Sequence, residues 1–425
     1  MGSTFYAFPL HGKGESFLLR TTNAAEPRSI VVDAGYAGEG PHSLFGVITR
    51  EASDLKTIDR LICTHEDADH CGGMPGFIRA WLQSKRKIGQ LWLPAIWSVG
   101  AARRTRSGWD TSKIVRGAFE VAPAIAAKLR DMREELTATG LDNVHPITVV
   151  RRAAEDIARE SASLDELLGK SIENGDTIVP EGRCPSGGVW GADRWRSEKP
   201  LTDYDYGLAM MLADDALKTH RRIAPIIAEA IHWNIPIRWF DFGRFRTNKV
   251  ARGGDIGFLT PVNAVEVAGT RGPVGAAVAF LALILSRANA ESLVFLRHAE
   301  TSEPPVIFTA DSRLAFGTSS VGTNFPKPLS GLPVDRKLLA TAFHHASSSN
   351  IHGYGVLKGW LGTAASVLYV RNGGAHVKNI ATDFLHSDRM CVCCHRSKDP
   401  ARLIRICAPA GEWQVPTHYV PCICA

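Results

Sequence analysis

Thr64-His65-Glu66-Asp67-Ala68-Asp69-His70-Cys71-Gly72-Gly73 decides how this 425-residue chain is read. It places His65, Asp67, Asp69 and His70 within six positions. Imidazole and carboxylate are the side chains that hold catalytic zinc or manganese. The run before it, residues 58–63, is apolar except for Asp59 and Arg60, and predicts a strand. After Gly72-Gly73, residues 77–82 read as a helix. The four candidate ligands therefore sit on a tight strand-to-helix loop, where side chains can converge on one point. A polar loop that uses Asp69 to cap a helix is the plainer alternative. A four-ligand cluster ending in Gly-Gly at a strand exit favours metal.

The spacing resembles the signature of the metallo-β-lactamase fold superfamily, T-H-x-H-x-D-H-x-G-G, with Asp67 standing where the second His is usual. That departure resembles the hydrolase domain of the ComEC competence protein family, in which H-x-D-x-D-H is frequent. Further stretches resemble that subgroup in order. They are the glycine turn and strand at 12–19, the V-D-x-G strand end Val32-Asp33-Ala34-Gly35, the hairpin 291–296 with 306–311, and Phe343-His344-His345-Ala346-Ser347. Together they cover roughly residues 1–100 and 256–385.

The resemblance implies a four-layer αββα sandwich of α/β class with a mostly helical insertion, and a centre for two divalent cations, zinc or manganese. His65 and Asp67 with a third ligand would hold the first. Asp69, His70 and His345 would hold the second, with Asp311 bridging, because a carboxylate offers two oxygens to neighbouring cations. Asp69, His344 and Ser347 are the candidate catalytic residues. Ser347 and Ser348 suit either a hydrogen bond to a phosphate or oxyanion or a helix cap. Asp33 is expected to hydrogen-bond the metal loop and orient it. The third ligand of the first position is open. The family places a His where this chain has Thr260, and His145, His220 and His232 lie upstream in a region that reads as a cap. Asp67 in place of His makes the first position richer in oxygen, which favours manganese or magnesium over zinc relative to an all-His site.

Working outward, residues 1–100 read as the first half of the core, with strands at 4–10, 16–21, 28–33 and 90–94. Residues 101–255 read as a mostly helical insertion, with helices at 114–136, 153–168 and 217–231 and a loop at 180–200. Residues 256–385 read as the second half, with strands at 256–259, 292–298, 306–310, 338–343 and 366–370. Residues 386–425 form a Cys-rich extension with one strand, 403–407. The apolar run 274–285 is too short for a bilayer, which needs about 20 residues, and predicts a buried helix. Met1 to Leu10 lacks a basic stretch followed by a long apolar one, so a cytoplasmic protein that does not associate with membrane is the expectation.

Forty-five per cent apolar and 22% charged residues exclude a disordered chain as the default. A net charge of +6 permits a nucleic-acid partner without arguing for one. Of nine cysteines, six follow residue 390. Their spacing lacks paired Cys-x-x-Cys knuckles, so strand packing competes with structural zinc and with redox use. Two tracts mix basic and aromatic residues, 103–109 and 233–246. They suit either stacking on bases or aromatics packed into the core beside a helix.

The resemblance implies a hydrolase using a metal-activated water, with a phosphodiester, and nucleic acid first among phosphodiesters, as substrate. The alternatives are a lactone, ester or β-lactam hydrolase and a non-catalytic binding or regulatory protein that keeps the fold.

Overall fold

The computed structural model describes residues 2–10, 14–21, 27–38, 43–101, 111–139, 153, 203–269, 276–285, 291–299, 303–316, 323–328, 330–332, 336–362, 366–374, 377–392, 403–409 and 411–415. They form two compact units. The first comprises residues 1–94, 229–266 and 289–425, and the second residues 95–228 and 267–288.

The first unit holds two mixed sheets and several helices, consistent with the sandwich the resemblance implies. Its strands are β1 (Ser3–Ala7), β2 (Phe17–Thr21), β3 (Arg28–Val32), β4 (Thr57–Ile62), β5 (Lys87–Pro94), β6 (Ile237–Asp241), β7 (Leu259–Pro261), β8 (Val265–Val267), β9 (Phe295–Arg297), β10 (Val306–Phe308), β11 (Leu338–Thr341), β12 (Val367–Arg371), β13 (Asp388–Cys391) and β14 (Ile404–Ala408). One sheet runs β14-β1-β2-β3-β4-β5-β6-β8, and the other β13-β12-β11-β10-β9-β7. The order β3-β4-β5-β6 is parallel throughout, and so is β10-β11-β12-β13.

Alternation builds the core. Phe5, Phe17, Leu19, Ile30 and Val32 of one sheet and Phe295, Phe308, Leu339 and Val370 of the other belong to one buried cluster. Phe5 stacks on Phe308 with centroids 6.2 Å apart, and Trp92 meets Phe295 at 5.3 Å. The intervening residues, such as Tyr6, Leu18, Val31 and Ile307, are buried as well. That is why these strands read as near-continuous apolar runs. On the second sheet Tyr369 packs against Tyr354 of helix Ile351–Leu361, centroids 4.9 Å apart. Each fully buried aromatic contributes about 1.5–3 kcal/mol of transfer free energy.

One expectation changes. Residues 256–258 are a turn rather than a strand, with Ile256 exposed and Gly257 at φ +80, and strand pairing begins at Leu259. The tract 233–246 packs its aromatics into the core, as one of its two readings holds, and does so as a strand and a helix. β6 joins the first sheet and helix Phe242–Asn248 follows, so Trp239, Phe240, Phe242 and Phe245 are buried. Arg238 is spent inside the fold, paired to Asp255 at 2.7 Å and Glu266 at 2.5 Å over the ring of Trp92.

The second unit is mostly helical where described. Helix Ala276–Leu285, the apolar run read from the sequence, packs against helix Thr111–Thr139, and Phe280 to Ile284 are buried. The expected helix 153–168 beyond its first residue, the loop 180–200 and the basic tract 103–109 lie outside the described residues, as do Cys393, Cys394, Cys422 and Cys424. Cys391 ends β13 and is buried, which fits plain packing. Among the described residues no helix is long and apolar enough to cross a membrane.

Candidate metal centre

The chemistry-bearing side chains gather at one edge of the two sheets. Asp33 follows β3, the 64–73 loop follows β4, Asp311 follows β10 and the His344–His345 pair follows β11. β2 runs antiparallel to β3, so its amino end, with Glu15, reaches the same edge. Parallel strands deliver their carboxyl ends together, which is the usual place for a site in such sheets.

The loop after β4 is clamped onto the segment after β3. Ala34 N donates to His70 O at 2.7 Å, and Gly73 N to Gly35 O at 2.7 Å. A Cβ at Gly73 would stand 2.3 Å from Ala34 O, so this approach requires glycine. Asp33 is fully buried at φ +58. Its Oδ1 accepts from Thr64 N at 2.8 Å, and its Oδ2 accepts from Thr64 Oγ1 at 2.7 Å and faces His70 Nδ1 at 2.8 Å. It orients the loop, as its place at a strand end suggests.

Opposite, Asn350 Nδ2 donates to Asp311 O at 2.6 Å, and His344 N donates to Ala310 O at 3.0 Å. His344, His345 and Ala346 all have left-handed backbone, φ +45, +53 and +65. Three such non-glycine residues in a row are strained by about 1–2 kcal/mol each, and strain of this kind concentrates at functional sites. The segment after β12 cradles His345. Arg371 Nε donates to His345 O at 2.7 Å, and a Cβ at Gly374, φ +59, would stand 2.3 Å from His345 Cβ.

The imidazoles share one arrangement. His65 Nδ1 lies 3.0 Å from Thr64 Oγ1, and its Nε2 lies 3.5 Å from Asp311 Oδ2 and 3.7 Å from Asp67 Oδ2. His70 Nδ1 is held by Asp33, and its Nε2 lies 3.4 Å from Asp311 Oδ1. His345 Nδ1 meets Glu15 Oε2 at 3.0 Å and Asn372 O at 2.9 Å, while Nε2 meets Asp69 Oδ2 at 3.0 Å. His344 Nδ1 lies 3.3 Å from Ser349 Oγ, and its Nε2 lies 3.4 Å from Asp311 Oδ2. Each Nδ1 is anchored within the fold and each Nε2 faces a carboxylate. This is the pattern of metal-ligating histidines, whose second nitrogen is fixed by an outer partner.

The donor set fits divalent cations. His65 Nε2 and His70 Nε2 are buried and find no hydrogen-bond partner among the described residues. Two ligands about 2.0–2.1 Å from a tetrahedral cation stand about 3.4 Å apart, which is the spacing of the Nε2-to-Asp311 pairs. Among the described residues, the ligand atoms of His65, His70 and Asp311 lie within 4.8 Å of one another, and so do those of Glu15, His70 and His345.

The imidazoles and carboxylates of the cluster shift one another's titration. Burial and neighbouring His70 pull the His65 imidazole down, but Asp311 and Asp67 outweigh them and its pKa is pushed up to about 10. His70 and His345 are likewise held well above the usual imidazole range, their carboxylate partners overcoming burial. Burial pushes the carboxyls of Asp67, Asp69 and Asp311 up, yet the facing imidazoles leave all three below the usual carboxylate range. Burial raises Glu15 above it.

The edge thus brings together His65, Asp67, Asp69, His70, Asp311, His344 and His345. Ser347 Oγ accepts from Ser349 N at 3.3 Å and caps the turn Ser348–Asn350. Thr260 Oγ1 meets His298 Nε2 at 2.7 Å. His232 is exposed beside Trp233, and His145 lies outside the described residues. Glu15 escaped the sequence reading as a site residue. The β2–β3 register, Phe17 opposite Val32, carries the signal, since it sets Ser16 and Glu15 beside Asp33 and Ala34.

The metallo-beta-lactamase superfamily model matches residues 15–152, so this segment carries that domain's signature. The match takes in Glu15, Asp33 and the whole 64–73 loop and stops short of Asp311 and the His pair. The superfamily is typically hydrolytic and metal-dependent. No curated protein matches the chain.

Proposed function

We propose that this protein is a phosphodiesterase or nuclease, a ComEC-like hydrolase that works with two divalent cations, zinc or manganese. The two sheets and their helices read as a four-layer αββα sandwich with residues 101–255 as a mostly helical insertion, and specificity resides in that insertion. One observation carries the hydrolase reading: buried histidines with anchored Nδ1 atoms turn their Nε2 atoms onto Asp69 and Asp311 at ligand spacing.

His65 and Asp67 would hold the first cation, and Asp69, His70 and His345 the second, with Asp311 offering one oxygen to each. The cations would acidify a water and stabilise negative charge on the phosphoryl oxygens. The chain's own work is positional. Asp33, Thr64 and Glu15 fix the imidazole tautomers, and Asp69 and His344 stand at the more open side of the cluster, where substrate arrives. The oxygen-rich donor set, with Asp67 in place of a histidine, supports phosphodiester chemistry, because hard cations on oxygen ligands are the common partners of phosphoryl groups.

The test is hydrolysis of bis(p-nitrophenyl) phosphate and of single- and double-stranded DNA and RNA, with manganese, zinc or chelator. Metal-dependent cleavage that vanishes in the Asp69→Ala/His70→Ala double variant is expected. A protein that binds metal yet cleaves no phosphodiester while opening lactones or esters would overturn the substrate reading.

A further inference from the structure

We infer that His344 is the third protein ligand, besides the bridging Asp311, of the first cation position, taking the part for which Thr260 offers no histidine. The inference deepens the two-cation reading above and rests on it. His65, Asp67 and one oxygen of the bridging Asp311 give that position three protein ligands, the number a catalytic site commonly supplies beside an open position, and a further side chain on the same oxygen would complete a set of four. Position 260 is committed elsewhere, its hydroxyl bonded to His298. His232, of the upstream histidines, is exposed beside Trp233.

His344 meets the requirement in three ways. Its Nε2 stands 3.4 Å from Asp311 Oδ2, the oxygen that His65 Nε2 approaches at 3.5 Å, whereas His70 faces the other oxygen, Oδ1. The carboxylate thus divides the imidazoles, with His65 and His344 on Oδ2 and His70 on Oδ1. Second, His344 repeats the anchoring of His65, His70 and His345, with Nδ1 against Ser349 Oγ and Nε2 turned inward. Third, its backbone is held left-handed, φ +45 and ψ +57, by His344 N donating to Ala310 O. Consecutive residues of an extended strand would point to opposite sides. The left-handed turn instead lets His344 and His345 both reach the carboxylate cluster, His344 to Asp311 and His345 to Asp69. His344 is about one-third exposed and His345 2%. The first position is therefore the solvent-facing one, and its cation is the more readily exchanged.

The test is metal content after loading with manganese or zinc and gel filtration, measured by plasma mass spectrometry on the wild type, His344→Asn and His352→Ala. Asparagine tolerates left-handed backbone, so the substitution spares the turn, and a thermal melt of the metal-free proteins checks the fold. His352, an exposed residue bonded to Asn324, is the control. Expected are about two equivalents in the wild type and in His352→Ala and about one in His344→Asn. Two equivalents held by His344→Asn with unchanged affinity would overturn the inference and leave the two-cation reading standing, with His344 facing substrate instead. A wild type that binds none, or only one, would overturn both.

Discussion

Replacing Asp33 by asparagine isolates the contribution of tautomer control. The substitution keeps the shape, and asparagine tolerates the left-handed φ of +58 at this position. The native carboxylate receives three groups, Thr64 N at 2.8 Å, Thr64 Oγ1 at 2.7 Å and His70 Nδ1 at 2.8 Å. An amide has one accepting oxygen. With the oxygen toward Thr64 N, the NH2 faces His70 Nδ1, which must then give up its proton to Nε2. That places a hydrogen between Nε2 and Asp311 Oδ1, 3.4 Å away, where the cation would be held. With the amide flipped, its NH2 confronts Thr64 N, donor against donor. Either way one bond to a charged group is lost, about 1.5–3 kcal/mol, equivalent to a roughly 10–100-fold loss of metal affinity, the size expected for outer-shell partners. Competition against a chromophoric chelator measures it, with metal-free melting as the control for folding. Affinity within about twofold of wild type, in a variant that is folded, would refute the tautomer argument.

Three further outcomes are expected. The His65 imidazole, raised from its ordinary 6.5 to about 10, gives stability to the metal-free protein that is fully present below about pH 6.5 and lost as the pH rises through about 10. Melting of chelator-treated wild type should therefore fall more steeply across that window than melting of His65→Gln, and equal slopes would contradict the assignment. Gly374→Ala drives a methyl to 2.3 Å from His345 Cβ at a left-handed φ, so it should cost about 1–3 kcal/mol and weaken the second cation position; a variant that melts and binds like wild type would show that the cradle gives way. Arg297 and Glu303 form an ion pair with both side chains fully buried, and Glu303→Ala should cost about 3–5 kcal/mol in denaturant unfolding, with a loss under about 1 kcal/mol counting against it.

The carboxylate–imidazole edge is largely legible in the sequence because it is local. Residues 64–73 carry four site residues in one loop, and the apolar run before them marks the strand that presents it. Asp311 and the His pair became legible through motif order, since nothing in a single Asp after an apolar strand distinguishes a ligand from a turn. Asp33 was read correctly as a partner of the loop because strand ends face it. Glu15 was not, because its role depends on the register of β2 on β3, which is a long-range property. The strand β6 was hidden for a similar reason. Residue type alone leaves Arg238 and Trp239 open between base stacking and core packing, and Asp255 and Glu266, distant in sequence, pair the one while the sheet buries the other. The short turn at 256–258 was misread as strand because Ile256 and Phe258 flank Gly257, whose positive φ ends the extended run. The role of His344 rests on backbone handedness, which residue type alone does not announce.

Anomalous diffraction from crystals grown with zinc or manganese, collected on both sides of the metal edge, tests the central claim most directly. Two peaks flanking the Asp311 carboxylate are expected, one among His65, Asp67 and His344 and the other among Asp69, His70 and His345. Density at this edge with no anomalous signal, or metal bound only at the cysteines of the tail, would contradict it.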